Sequence, residues 1–103
     1  MESRAEYLLR LEHAIAQLHG CSARHIESVR VREVFRGQIV WHGTVEVFSL
    51  EGHENARRAF AWSHMDGQYD SDARCVCYLE GPAIDCPAAA VRASLKGRVD
   101  DLE

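Results

Sequence analysis

Residues 41–64, WHGTVEVFSLEGHENARRAFAWSH, contain two runs of β-branched, aromatic and small apolar residues on either side of a polar segment. This pattern is typical of two antiparallel strands joined by a loop. We predict strands at 44–50 and 57–64, with Glu51-Gly52-His53-Glu54 as their connection. The rest of the chain is expected to cover one side of this pair.

The segments upstream predict a helix and a further strand. Ser3 and Glu6 have the spacing of a capping box, and Gly20 is expected to end the helix that they begin. Apolar residues between them recur at three- and four-residue steps, which places them on one helical face: Ala5, Leu8, Leu11, Ile15 and Leu18. Alternating Val and Arg residues at 26–34 predict a strand, followed by a connection at Phe35-Arg36-Gly37-Gln38.

The C-terminal part predicts a last strand and a second helix. A polar loop at 65–72 precedes a short strand at 74–80, and a helix is expected to begin near Pro87 and to stop at Gly97. The chain of 103 residues is interpreted as a single α+β domain. Its antiparallel sheet of three to four strands would carry the N-terminal and C-terminal helices on one face. The tail, 98–103, is expected to be disordered or partly vector-derived.

The predicted strands divide into two faces, because side chains two positions apart point the same way. One set is small and uncharged: Val45, Val47, Ala59, Ala61, Cys75, Cys77 and Leu79. The other is aromatic with charges among the rings: Glu46, Phe48, Leu50, Arg58, Phe60, Trp62, Val76, Tyr78 and Glu80. Burying charges under a helix is costly, so we predict that the helices cover the small set.

The aromatic face would then be open, and an exposed apolar patch of that extent favours a partner. We predict an interaction face made of Phe48, Arg58, Phe60, Trp62 and Tyr78. Two-fold homodimers are the commonest oligomers, so we expect a homodimer, with a different protein partner as the alternative. The function predicted is a non-enzymatic binding or assembly module. If the rings are instead core, this interaction hypothesis loses its basis.

Net charge and the distribution of apolar residues bear on nucleic-acid binding and on cellular location. The formal net charge is −4, which argues against a nucleic-acid partner. An RNA-binding alternative would use His53, Arg57, Arg58 and Arg74 beside the aromatic residues. No stretch has the character of a signal peptide or a membrane span, so we expect a cytoplasmic protein with reduced thiols.

A metal site is the remaining alternative. Cys75, Cys77 and Cys86 could supply three thiolates to zinc. A single C-x-C lacks the paired spacing of structural zinc sites, however, and thiols on a buried strand behave as small apolar groups. We therefore predict no cofactor. No G-x-S-x-G sequence is present, and we predict that the protein is not an enzyme.

The order of helix, strands and helix resembles the double-stranded-RNA-binding domain family, whose sheet keeps one face free of helices. The resemblance implies that Gly52-His53 lies in the loop that this family inserts into a minor groove. That family begins its last helix with a lysine cluster, whereas this chain has Cys86-Pro87-Ala88-Ala89-Ala90. The resemblance therefore supports the fold more than RNA binding.

A second resemblance, to a group of short bacterial proteins without an assigned activity, rests on local motifs. These are Val40-Trp41, Val45-Glu46-Val47-Phe48, Gly52-His53 and Ala61-Trp62. It implies a stand-alone protein and no particular chemistry.

Overall fold

A computed structural model describes residues 3–65 and 73–101, apart from the side chains of 63–65, 73–75 and 97–101. The loop predicted at 65–72 therefore lies, beyond its first residue, outside the described residues. The elements are α1 (Arg4–His19), β1 (Ser22–Phe35), β2 (Gln38–Glu51), β3 (Arg58–Met65), β4 (Ala73–Leu79) and α2 (Pro87–Asp101). The strands form one antiparallel sheet in the order β1-β2-β3-β4. The predicted α+β class and the order of helix, strands and helix are confirmed.

The ends of α1 follow the sequence signals. The Ser3 hydroxyl accepts a hydrogen bond from the Glu6 amide at 3.2 Å, which satisfies one of the free donors of the first turn. Gly20 closes the helix with a left-handed φ of 63°, and its amide donates to the Ala16 carbonyl at 2.9 Å.

The second helix differs from the prediction at its end. Its backbone continues past Gly97 to Asp101, so the segment expected to be a disordered tail begins as helix. A glycine inside a helix costs only about 1 kcal/mol relative to alanine, which does not by itself end the helix.

The strands β1 and β2 form a long hairpin. Its turn is Arg36-Gly37, where both residues have positive φ values of 53° and 78°. Such two-residue turns match the twist of the strands they join. The connection predicted at 35–38 is therefore confirmed, although both strands are longer than predicted.

The register between β2 and β3 decides which side chains share a face. Val47 lies opposite Phe60, and Phe48 lies opposite Ala59. Directly opposite residues project to the same side of a sheet, so each face combines rings with small residues. The predicted division into a small face and an aromatic face is wrong, because it paired odd positions in β2 with odd positions in β3.

Both faces of the sheet are covered, one by each helix. On the α1 side the buried cluster consists of Leu11, Ile15, Phe48, Leu50, Ala56, Ala59 and Ala61. On the α2 side it consists of Val31, Val45, Val47, Phe60, Trp62, Ala90 and Val91. The prediction that both helices lie on one face is therefore wrong. Neither described helix is long and apolar enough to cross a membrane.

The predicted interaction face does not exist as an open surface. Phe48 and Phe60 are 0% exposed and Trp62 is 3% exposed, and Phe48 lies on the opposite side of the sheet from the other two. Trp62 packs against Tyr78, with ring centroids 6.1 Å apart and nearly parallel planes. Arg58, which is partly buried, has its guanidinium 5.3 Å from the centre of the Phe60 ring. Phe48, Phe60 and Trp62 therefore belong to the core, and Arg58 and Tyr78 lie at its edge.

Replacing Trp62 by alanine tests this assignment. Removing a buried ring of this size leaves a cavity, so the free energy of unfolding is expected to fall by about 3–5 kcal/mol. The same replacement at Leu9, which is 53% exposed, is expected to change it by less than about 0.5 kcal/mol. Urea unfolding followed by circular dichroism measures both. Equal, small effects would show that the Trp62 ring is not part of the core.

Candidate functional site

The outer half of the β1–β2 hairpin is not paired with β3, which continues to Met65 in a ladder with β4. Partners in β3 face β2 only at Glu46, Val47, Phe48 and Ser49. The β1–β2 ladder, in contrast, continues to the pair Phe35 and Gln38 beside the turn. The outer part of β2 therefore pairs only with β1 among the described strands.

Apolar side chains are concentrated on this outer part. Val34 is 55% exposed, Phe35 50%, Ile39 54% and Val40 44%. We call these four residues the hairpin surface. Single exposed apolar residues are ordinary, but a contiguous group at the end of a hairpin is a feature of interaction sites.

One side of the hairpin carries both apolar and polar exposed residues. Val34 and Ile39 are partners across the ladder and share a side, and Arg32 and His42 are a second exposed pair. Val34 and Arg32 are two positions apart in β1, so all four residues share that side. The mixture is apolar and cationic.

The second unusual feature is a buried charge. The Glu46 side chain is 2% exposed, and its Oε1 lies 2.9 Å from His25 Nε2 and 3.3 Å from an Arg4 guanidinium nitrogen. The Ser28 hydroxyl also donates to Oε1. A β-bulge at Ile26 makes this cluster, since the extra residue brings both His25 and Ser28 to the α1 side.

The Ser28, His25 and Glu46 cluster has the residue types of a hydrolase triad but not its geometry. In a triad, the acid and the hydroxyl bind different nitrogens of the imidazole. Here Ser28 Oγ and Glu46 Oε1 both lie beside Nε2 of His25. The cluster therefore lacks the arrangement of a triad, and it joins the start of α1 to β1 and β2.

The predicted RNA contacts are not arranged as a free cationic cluster. Arg58 donates two hydrogen bonds to the Glu80 carboxylate, from Nε at 2.9 Å and from a terminal nitrogen at 2.7 Å. Hydrogen bonding to Glu80 raises the pKa of Arg58. Nδ1 of His53 accepts hydrogen bonds from the Asn55 and Ala56 amides, which shapes the β2–β3 loop. Arg57 is exposed, and the Arg74 side chain lies outside the described residues.

The predicted metal ligands are divided between the two faces. Cys77 packs against the α1-side cluster, with its sulfur 3.9 Å from His19 Nε2. Cys86 directly precedes α2, which packs on the other face, and the Cys75 side chain lies outside the described residues. Within the described part, no three His, Cys, Asp or Glu side chains form a group that could hold a metal ion.

The local sequence marks neither the Glu46 cluster nor the hairpin surface, because both depend on how distant segments of the chain come together. Glu46 was assigned to an open face, and nothing in the local sequence of Arg4, His25 or Ser28 marks them as its partners. In the sequence, Val34 and Phe35 have the pattern of a strand end. Where β3 separates from β2 is a property of the assembled sheet, which the local sequence does not encode.

No known protein family matches this chain, and neither a curated protein nor a solved structure does. The resemblance to double-stranded-RNA-binding domains rested partly on a sheet face free of helices, and this sheet carries a helix on each face.

Replacing Glu46 by glutamine tests the buried cluster. The amide keeps the shape but loses the charge-assisted hydrogen bonds to Arg4 and His25, so the free energy of unfolding is expected to fall by about 1–3 kcal/mol. Glu51→Gln, at an exposed position of the same strand, is the matched control and should have little effect. Chemical unfolding at pH 7 compares them. Equal stability of the two variants would contradict the anchoring role.

Proposed function

We propose that this protein is a non-enzymatic assembly module that forms a homodimer through its hairpin surface. The observation that carries the proposal is the concentration of half-exposed Val34, Phe35, Ile39 and Val40 at the end of the hairpin. A two-fold axis near the hairpin would place the same side chains of two copies against each other.

The apolar gain exceeds only the lower part of the cost of association, about 4–15 kcal/mol, so a weak dimer is the most that it supports. Burying the exposed half of each large aliphatic or aromatic side chain contributes about 1 kcal/mol, or about 8 kcal/mol for four residues in each of two copies. Part of this gain is offset by the lost freedom of two molecules. We therefore expect a dimer that dissociates on dilution rather than an obligate one.

The charges of the hairpin predict an unusual salt response. Arg32 lies on the same side as Val34 and Ile39, so a two-fold contact brings like charges together. Salt screens that repulsion and strengthens apolar contacts, so the dimer should tighten as ionic strength rises. Binding to RNA would show the opposite trend.

The RNA-binding alternative has less support, because Arg58 is paired with Glu80. The cytoplasm is the location that we propose with this function. Cys21, Cys77 and Cys86 are free thiols, as is usual in a reducing compartment.

Sedimentation velocity over a range of protein concentrations measures the assembly. Ile39→Ser is expected to weaken the dimer by about tenfold or more, because each two-fold interface loses two apolar side chains. Val34→Ser, at the position opposite in the ladder, should act in the same direction.

The matched control is Leu18→Ser, since Leu18 is 67% exposed but lies on α1. It should leave the dimer unchanged. A parent protein that remains monomeric at the highest concentration, or a dimer that Leu18→Ser weakens as much as Ile39→Ser does, would contradict the proposal.

A further inference from the structure

A cavity of 440 Å³ lies between the hairpin and α2. Its size is within the range of small-molecule sites. Its walls are formed from the hairpin by Glu33, Val34, Phe35 and Val40 and from the helix by Arg92, Leu95 and Lys96. Most of these walls are apolar, so a ligand that fills the cavity needs an apolar body.

Two cations of α2 line the cavity beside its apolar walls. Arg92 and Lys96 are four positions apart in α2 and therefore lie on the same side of the helix. Arg36 is not part of the lining, and its guanidinium lies 5.1 Å from the centre of the Phe35 ring. Lys96 is exposed, and it is the one lysine in the sequence.

The opposing charge is Glu33, and it is already paired. Its Oε1 lies 3.4 Å from Arg92 Nε, close enough for an ion pair. The contact does not have hydrogen-bond geometry, and this buried oxygen has no other hydrogen-bond partner among the described atoms. The ion pair neutralises Arg92 but leaves the positive charge of Lys96 uncompensated by Glu33. The cavity is thus locally cationic on a chain whose formal net charge is −4.

We propose that this cavity binds a small amphipathic anion, an aliphatic carboxylate whose chain enters between Phe35, Val40 and Leu95. Its carboxylate lies at the mouth beside Lys96. The apolar walls supply most of the affinity, and the cations select the charge of the head group. The site is complete within one chain, but it shares Val34, Phe35 and Val40 with the hairpin surface, so a bound ligand and a second copy compete for these residues.

A head-group series tests the charge selection by isothermal titration calorimetry at low salt. Decanoate, decan-1-ol and decyltrimethylammonium share one apolar chain and differ in charge, and each is used below the concentration at which it forms micelles. Decanoate is expected to bind saturably, decan-1-ol more weakly and decyltrimethylammonium most weakly. Equal binding of the three probes, or no saturable binding of decanoate, would overturn the proposal.

Two charge variants test the position of the head group. Lys96→Gln is expected to weaken decanoate binding by about three- to fivefold, as loss of one partly exposed ion pair does. Glu33→Gln removes the opposing carboxylate and is expected to strengthen binding. Arg24→Gln, which removes an exposed cation at the far end of β1, is the control for net charge and should have no effect. If Arg24→Gln and Lys96→Gln weaken binding equally, the effect is not local and the assignment is wrong.

A last variant separates this site from the homodimer. Ile39 does not line the cavity and its replacement weakens the dimer that covers the cavity walls, so Ile39→Ser should bind decanoate at least as tightly as the parent protein does. Loss of binding in that variant would show that the site is absent from the single chain, which contradicts the inference.

Discussion

The alignment of β2 with β3 is the constraint on which the rest of the structure depends. Because Val47 is paired with Phe60 and Phe48 with Ala59, each face of the sheet receives one bulky ring against small neighbours. Both faces are therefore apolar enough to bury, and each needs a cover. With α1 on one side and α2 on the other, a short chain obtains two small cores in place of one. Shifting the alignment by one residue would turn every side chain of one strand to the opposite face.

The same arrangement explains why the outer part of the hairpin is not paired with β3. Strand β3 and α1 cover the inner part of the sheet, whereas β1 and β2 continue outward to the turn at Arg36-Gly37, where Arg92 of α2 lies beside Glu33. On that outer part Trp41 packs against the α2-side cluster, whereas Val34, Phe35, Ile39 and Val40 remain about half-exposed. The buried Glu46 cluster has the complementary role, since it holds the start of α1 against the inner part of the same two strands. The buried Glu46 cluster, which stabilises the fold, and the residues of the proposed binding sites thus lie at different ends of one hairpin.

Local signals in the sequence predicted local structure well. The capping residues Ser3 and Gly20 and the turn at Arg36-Gly37 act through backbone geometry over a few residues, and all three are where the sequence placed them. The register between β2 and β3 depends instead on the conformation of the loop that joins them. In β1, the bulge at Ile26 also exchanges the faces to which odd- and even-numbered side chains point. Parity counted along a sequence carries neither piece of information. The interaction face was predicted wrongly for that reason, and the hairpin surface was not predicted at all.

Proton–proton distances from isotope-edited nuclear Overhauser spectra test the two-sided arrangement most directly. With one helix on each face, cross-peaks are expected from the Phe48 ring to the methyl groups of Leu11 or Ile15, and from the Phe60 or Trp62 ring to those of Val91. Contacts of the Trp62 ring with Ile15, or contacts of both helices with one set of rings, would contradict this arrangement.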